Sequence, residues 1–232
     1  MKTFMLDGVG EVQLKKSARA KQLILKLSSE GIPIVTIPTY IPYIVAQKFA
    51  LKQKEWILRH GKALRPEIIS EGKQIGKHHI VQYLNSDLDK PTSRVSKDSV
   101  TIRIPAGKLR THPTVQAEAK KACIRALRKQ AESFLPKRIH ELATLFGYRY
   151  NNITVRAVRT RWGSCSTKKN INLSIWLMQL PDPLIEYVLC HELAHLNHPN
   201  HQPAFWHEVE SMIPDYKMRR KRLKDYQPRL MS

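Results

Sequence analysis

The chain has 232 residues, with 40 Lys+Arg against 19 Asp+Glu and a net charge of +21. That length holds one large domain or two small ones, and 42% hydrophobic residues suffice for a buried core, which excludes disorder over most of the chain. Nine glycines and 14 prolines exclude a collagen-like composition, and three cysteines (Cys123, Cys165, Cys190) cannot form a disulfide framework, which points to a reducing compartment.

Asp7 interrupts the apolar-leaning start before it reaches the length of a secretory signal core. Residues 10–40 alternate as strands. Segments 22–27 and 32–37 are expected to pair as a hairpin around Glu30 and Gly31. The longest uncharged run, between Glu30 and Lys48, contains Pro33, Pro38 and Pro42, so it reads as strands and turns and not as a membrane helix. Residues 43–60 have Ala46, Phe49, Ala50 and Ile57 at helical spacing, with Gly61 as the stop. Short strands return at 79–83 and 99–104, separated by a polar loop at 86–98.

Residues 114–145 have the alanine-rich composition of a helix, which Pro136 is expected to kink or split and Gly147 to close. Strands follow at 153–158 and 171–176. Asp182 and Pro183 read as an N-cap and first turn, opening a helix that runs to about Leu196, before Pro199. Further helices are expected at 203–212 and 215–226. No internal repeat is evident.

The chemistry concentrates in His191-Glu192-Leu193-Ala194-His195. On a helix, histidines at i and i+4 share one face and can reach one metal ion. Glu192, beside the first, can contact a water on that metal and act as general base in hydrolysis. The apolar run Tyr187-Val188-Leu189-Cys190 places the motif on a buried helix, where two imidazoles and a carboxylate need a reason to be. A third ligand could come from His198, His201, His207, Glu208 or Glu210. His198 lies seven residues from His191, about 10 Å along a helix axis. His201 follows Pro199-Asn200, where the chain has left the helix and can turn back, so it is favoured, with Glu208 next.

These residues carry a resemblance. The two histidines, five further residues, His201 and then Pro203-Ala204-Phe205-Trp206 resemble the YgjP-like metallopeptidase family. Arg161-Trp162-Gly163-Ser164-Cys165-Ser166, followed by Ile171-Asn172-Leu173, resembles the same family's segment ahead of the metal helix. The family is similar to the SprT-like and WLM-type zinc peptidases, some of which act on DNA-bound proteins. The resemblance implies a zinc peptidase with His191, His195 and His201 as Zn2+ ligands and Glu192 as base. Gln202 stands where the family's usual serine follows the third histidine, and is expected to alter hydrogen bonding around the ligands and not metal binding itself.

A strand beside the metal helix can hold an extended peptide by backbone pairing, and 171–176 is the candidate. Trp162 reads as a core anchor and Gly163 as a tight bend. His207, Tyr216 and Arg161 are candidates for stabilising the oxyanion. The positive charge is spread over the chain and densest at Lys217, Arg219, Arg220, Lys221, Arg222 and Lys224.

The expectation is an α+β protein, with a strand-rich region over 1–112 containing one helix and a helical zincin-like metallopeptidase domain over 113–232. Its expected function is zinc-dependent hydrolysis of a protein or peptide substrate in the cytoplasm, with no membrane association. The alternative is a basic nucleic-acid-binding protein with a structural or vestigial metal site, or a peptidase acting on DNA-associated proteins. A closed structural site tends to have four ligands, and only three are evident.

Overall fold

The computed structural model describes residues 2–28, 32–62 and 68–230. The chain divides into two units, Met1–Ile68 and Ile69–Ser232. Strands dominate the N-terminal half and helices the C-terminal half, as the composition of the segments predicts.

In the first unit, β1 (Lys2–Leu6), β2 (Gly10–Ser17), β3 (Ile24–Leu27) and β4 (Pro33–Pro38) form one sheet in the order β1-β2-β4-β3. The expected pairing of 22–27 with 32–37 is present as the antiparallel β3–β4 ladder; the turn at Glu30 and Gly31 lies outside the described residues. The helix expected over 43–60 is two helices, α1 (Tyr43–Lys52) and α2 (Lys54–Lys62), separated at Gln53. Gly61 lies inside α2 and does not stop it. Leu6, Val12, Leu14, Val35, Ile37, Ala46, Ala50 and Ile57 make this unit's core.

The second unit opens with β5 (Gln74–Ile75), β6 (His79–Ser86), β7 (Thr92–Val95) and β8 (Ser99–Pro105), in the order β5-β6-β8-β7. The segment 86–98 is therefore not all loop. It contains β7, a half-exposed edge strand whose polar sequence, Thr-Ser-Arg-Val, hides the alternation. Both four-stranded sheets share one topology: the first pair antiparallel, the second and fourth strands parallel, the third antiparallel to the fourth. This repeat of topology is invisible at the level of residue identity.

The expected boundary at 112/113 differs from the observed division at 68/69. The second sheet belongs with the helical part because β7 and β8 pack on α3 (Pro113–Phe146). Val115, Ala119, Ala122, Ala126 and Leu127 form its buried stripe. Pro136 does not split this 34-residue helix. The carbonyl it leaves without a donor belongs to Glu132, on the exposed side of the helix. Gly147 closes the helix with φ of 74°, a left-handed cap as expected.

A three-stranded sheet follows, ordered β10-β11-β9, from β9 (Asn152–Arg156), β10 (Gly163–Cys165) and β11 (Asn170–Ser174). The strand expected over 171–176 ends at Ser174, where a short 3₁₀ helix (Ile175–Gln179) begins. Next come α4 (Asp182–Ala194), α5 (Pro203–Met212) and α6 (Tyr216–Leu223). Pro181, one residue earlier than expected, caps α4, while Asp182 pairs with Lys77. Leu184, Ile185, Val188, Leu189 and Leu193 are buried, and each contributes on the order of 1.5–3 kcal/mol by leaving water. α4 packs on α3, α5, α6 and β10, so a rigid core holds the helix bearing the motif. Among the described residues no helix is long and apolar enough to cross a membrane.

Candidate metal centre

His191 and Glu192 lie in the last turn of α4, and His195 is the residue that caps it. The i, i+4 spacing puts both imidazoles on one face. The chain then turns through residues 195–200 and returns with His201 ahead of α5. Trp206 Nε1–H donates to the His201 carbonyl at 3.1 Å and fixes that return. Fully buried Phe205 lies against all three imidazoles, with centroids 4.9, 4.6 and 4.7 Å from those of His191, His195 and His201.

One ligand atom from each of these histidines lies within 4.8 Å of the others. His191 Nε2 and His201 Nε2 stand 3.1 Å apart. His195 Nδ1–H donates to the His198 carbonyl at 3.0 Å, which leaves Nε2 as the atom that can bind a metal. Among the described residues this is the only such group of three or more metal-ligating side chains.

A cleft of about 240 Å³ opens beside the triad. Its walls include Arg161, Trp162, Gly163, Tyr187, His191 and Glu192, with Val188 and Leu223 completing them. Glu192 is only 4% exposed, and its Oε2 has no hydrogen-bond partner among the described residues. Burial pushes its carboxyl up to about 8, opposed only by the Arg161 guanidinium. Burial, helped by the neighbouring imidazoles and Arg220, holds His191 down at about 3. The same causes lower His201. His191 therefore stays neutral and able to bind a cation well below neutral pH, and the lowering of His201 likewise favours its neutral, metal-binding form.

A YgjP-like metallopeptidase domain model matches residues 21–226. The chain belongs to the YgjP-like metallopeptidase family. Membership supports peptidase chemistry, a hydrolase reaction that uses a metal. Two solved structures are similar over part of the chain. One is the metallopeptidase zymogen abylysin of Pyrococcus abyssi, with 26% identity over 43% of this chain and 100% of that one and a TM-score of 0.38. The other is the zymogen jannalysin of Methanocaldococcus jannaschii, with 19% identity over 38% of this chain and 90% of that one and a TM-score of 0.34. No curated protein matches.

The remaining sequence candidates separate clearly. Glu208 accepts from the Tyr148 hydroxyl, from Asn197 Nδ2 at 2.7 Å and from His198 Nε2 at 2.6 Å, so both its oxygens are already engaged. His198 is held in that pair and does not join the triad. Gln202 is exposed and makes no side-chain hydrogen bond among the described residues, so it does not reach the ligands as expected. Of the proposed oxyanion donors, Arg161 lines the cleft, whereas His207 is exposed elsewhere and Tyr216 is stacked on Trp206. Trp162 is both core and site: half-buried, packed on the core and lining the cleft.

Two features escaped the sequence reading. Tyr187 lines the cleft one helical turn before His191, and its hydroxyl has no partner among the described residues. Burial pushes that phenol up to about 12, so it remains an O–H donor. The i, i+4 spacing from His191 was the signal. The second is the strand beside α4. It is β10, an edge strand, and not β11, which is paired on both sides and has no free edge.

Proposed function

We propose that this protein is a zinc-dependent metallopeptidase in which His191, His195 and His201 hold the metal and Glu192 is the general base. The observation that carries the reading is the convergence of three imidazoles beside one buried, unpartnered carboxylate in an open cleft. The donor set fits zinc: three imidazole nitrogens beside an open cleft would match the three-ligand set of catalytic sites, which keep one position for water or substrate. The orphaned Glu192 Oε2 fits as well, because a buried carboxylate without a partner is costly unless a cation stands near it.

The chemistry that zinc supplies, once bound, is Lewis acidity toward a carbonyl oxygen and an attacking water. Glu192 accepts the proton of that water and returns it to the leaving amine. The Tyr187 hydroxyl donates to the oxygen that gains charge. An extended protein or peptide substrate pairs with the free edge of Gly163–Cys165, which runs beside Glu192.

Metal content and hydrolysis of casein, measured together, test this. Wild type is expected to hold one zinc and cleave. His191→Ala is expected to lose both metal and cleavage, and Glu192→Gln to lose cleavage with the metal retained. Wild type without bound metal, or Glu192→Gln with full activity, would overturn the proposal.

A further inference from the structure

The cleft has a charged rim that the hydrolytic reaction does not use. Arg161 lines it, two residues before β10, and is exposed. Arg220, on α6, holds its guanidinium 4.3 Å from the Trp206 ring, and that ring stacks on His201. Leu223, one turn further along α6, lines the cleft; Arg220 does not line it but stands beside it, over the Trp206 ring, whose centroid is 6.0 Å from that of His191 in the cleft wall. Neither arginine has an ion-pair or hydrogen-bond partner among the described residues. Their neighbours differ: Arg219 is bound to Asp215 and donates to the Pro183 carbonyl, and Lys217 pairs with Glu210. The one carboxylate in the cleft, Glu192, is buried behind Gly163 and makes no ion pair with Arg161.

Two unpaired guanidiniums, Arg161 lining a narrow, partly apolar cleft and Arg220 beside it, form a site for carboxylate. Arginine binds carboxylate through two parallel N–H donors, and such bonds strengthen where water is partly excluded. The Trp206 face orients Arg220 at little cost in side-chain freedom. Phosphate of a nucleic acid is less well served. A strand backbone requires a track of cations, and Arg161 is the one Lys or Arg among the cleft's lining residues, with Arg220 beside it.

We infer that Arg161 and Arg220 select peptides that place a carboxylate next to the scissile bond. This rests on the peptidase reading above. The carboxylate comes either from an Asp or Glu side chain or from a free C-terminus, and the two sources are separable.

The test uses quenched fluorescent peptides of one sequence, varied at the residues flanking the cleaved bond. Acidic, isosteric amide and lysine forms are compared, each with a free or an amidated C-terminus. The metal-loaded wild type is expected to show a kcat/KM about tenfold or more higher for the carboxylate form than for its amide, as a charge-assisted bond predicts. Arg161→Gln and Arg220→Gln are each expected to shrink that ratio severalfold. A preference tied to flanking Asp or Glu assigns the side chain, and one tied to the free terminus assigns a carboxypeptidase-like mode. Equal rates for acid and amide, or a ratio unchanged in both variants, overturn the inference and leave the peptidase reading intact.

Binding of the same labelled peptides to metal-loaded Glu192→Gln, followed by anisotropy, does not need turnover. Acid-selective binding that requires both arginines, with no cleavage by wild type, overturns the peptidase reading alone. Indifference to the carboxylate, with tight binding of a single-stranded oligonucleotide that requires both arginines, overturns the inference in favour of phosphate.

Discussion

A Cβ atom on Gly163 would lie 2.6 Å from Glu192 Oε1. A non-bonded Cβ does not sit that close to an oxygen, and Glu192 Cγ would lie only 2.8 Å away, so more than the tip of the buried side chain must move. Gly163→Ala therefore displaces the carboxylate while leaving His191 and His195 on their face of α4 and His201 on the segment ahead of α5. A shift of about 1 Å in a catalytic group can cost about a hundredfold in rate. Gly163→Ala is expected to lose about that much in kcat and to keep its zinc. Activity within threefold of wild type would show that Glu192 is not where the reaction needs it.

Glu208 reaches the triad through one intermediate. It binds the His198 imidazole, and the His198 carbonyl accepts from His195 Nδ1. The Tyr148 hydroxyl and Asn197 hold the carboxylate in place. Removing it frees the 195–198 turn that orients His195. Partners of this kind typically change metal affinity by about 10–100-fold. Glu208→Ala is expected to weaken zinc binding within that range, read by competition with a chromophoric chelator. Unchanged affinity would reduce the chain of contacts to scaffolding.

The site was more legible in the sequence than the fold around it, for physical reasons. His191 and His195 depend only on helical spacing, a local property, and His201 on a turn marked by Pro199. The continuity of α3 through Pro136 depends on which carbonyl is left exposed, and composition does not carry that. β7 is polar because it is an edge, and polarity made it read as loop. The cleft is built from segments distant in sequence, 161–163, 187–192 and Leu223, so Arg220 beside it looked like one of many surface cations. Gly163 looked like a bend, and only the packing of β10 on α4 shows it as the place where Glu192 fits.

Tyr187 separates catalysis from binding. Its hydroxyl is unpartnered, protonated and one turn from His191. Tyr187→Phe removes the donor and retains the ring that packs against His191. Losing one oxyanion donor costs on the order of a hundredfold in kcat. Tyr187→Phe is expected to lower kcat by about that factor with little change in KM or zinc content. A change confined to KM would place the hydroxyl on the substrate in its ground state, and no change in either would remove it from the reaction.

Glu192 ties the site to stability. In the metal-free protein its carboxyl is raised from 4.5 to about 8 by burial. The folded state therefore binds more protons than the unfolded state between those values, and stability falls as pH rises through the window. The slope for one group is about 1.4 kcal/mol per pH unit. His191, held at about 3, acts in the opposite direction at lower pH, but it is common to wild type and Glu192→Gln. The difference in urea-unfolding free energy between these two proteins, stripped of metal, isolates Glu192. Wild type is expected to lose stability relative to Glu192→Gln from pH 5 to pH 8, and zinc to diminish that loss by placing a cation beside the carboxylate. A difference independent of pH would mean that Glu192 is already ionised and paired in the metal-free site.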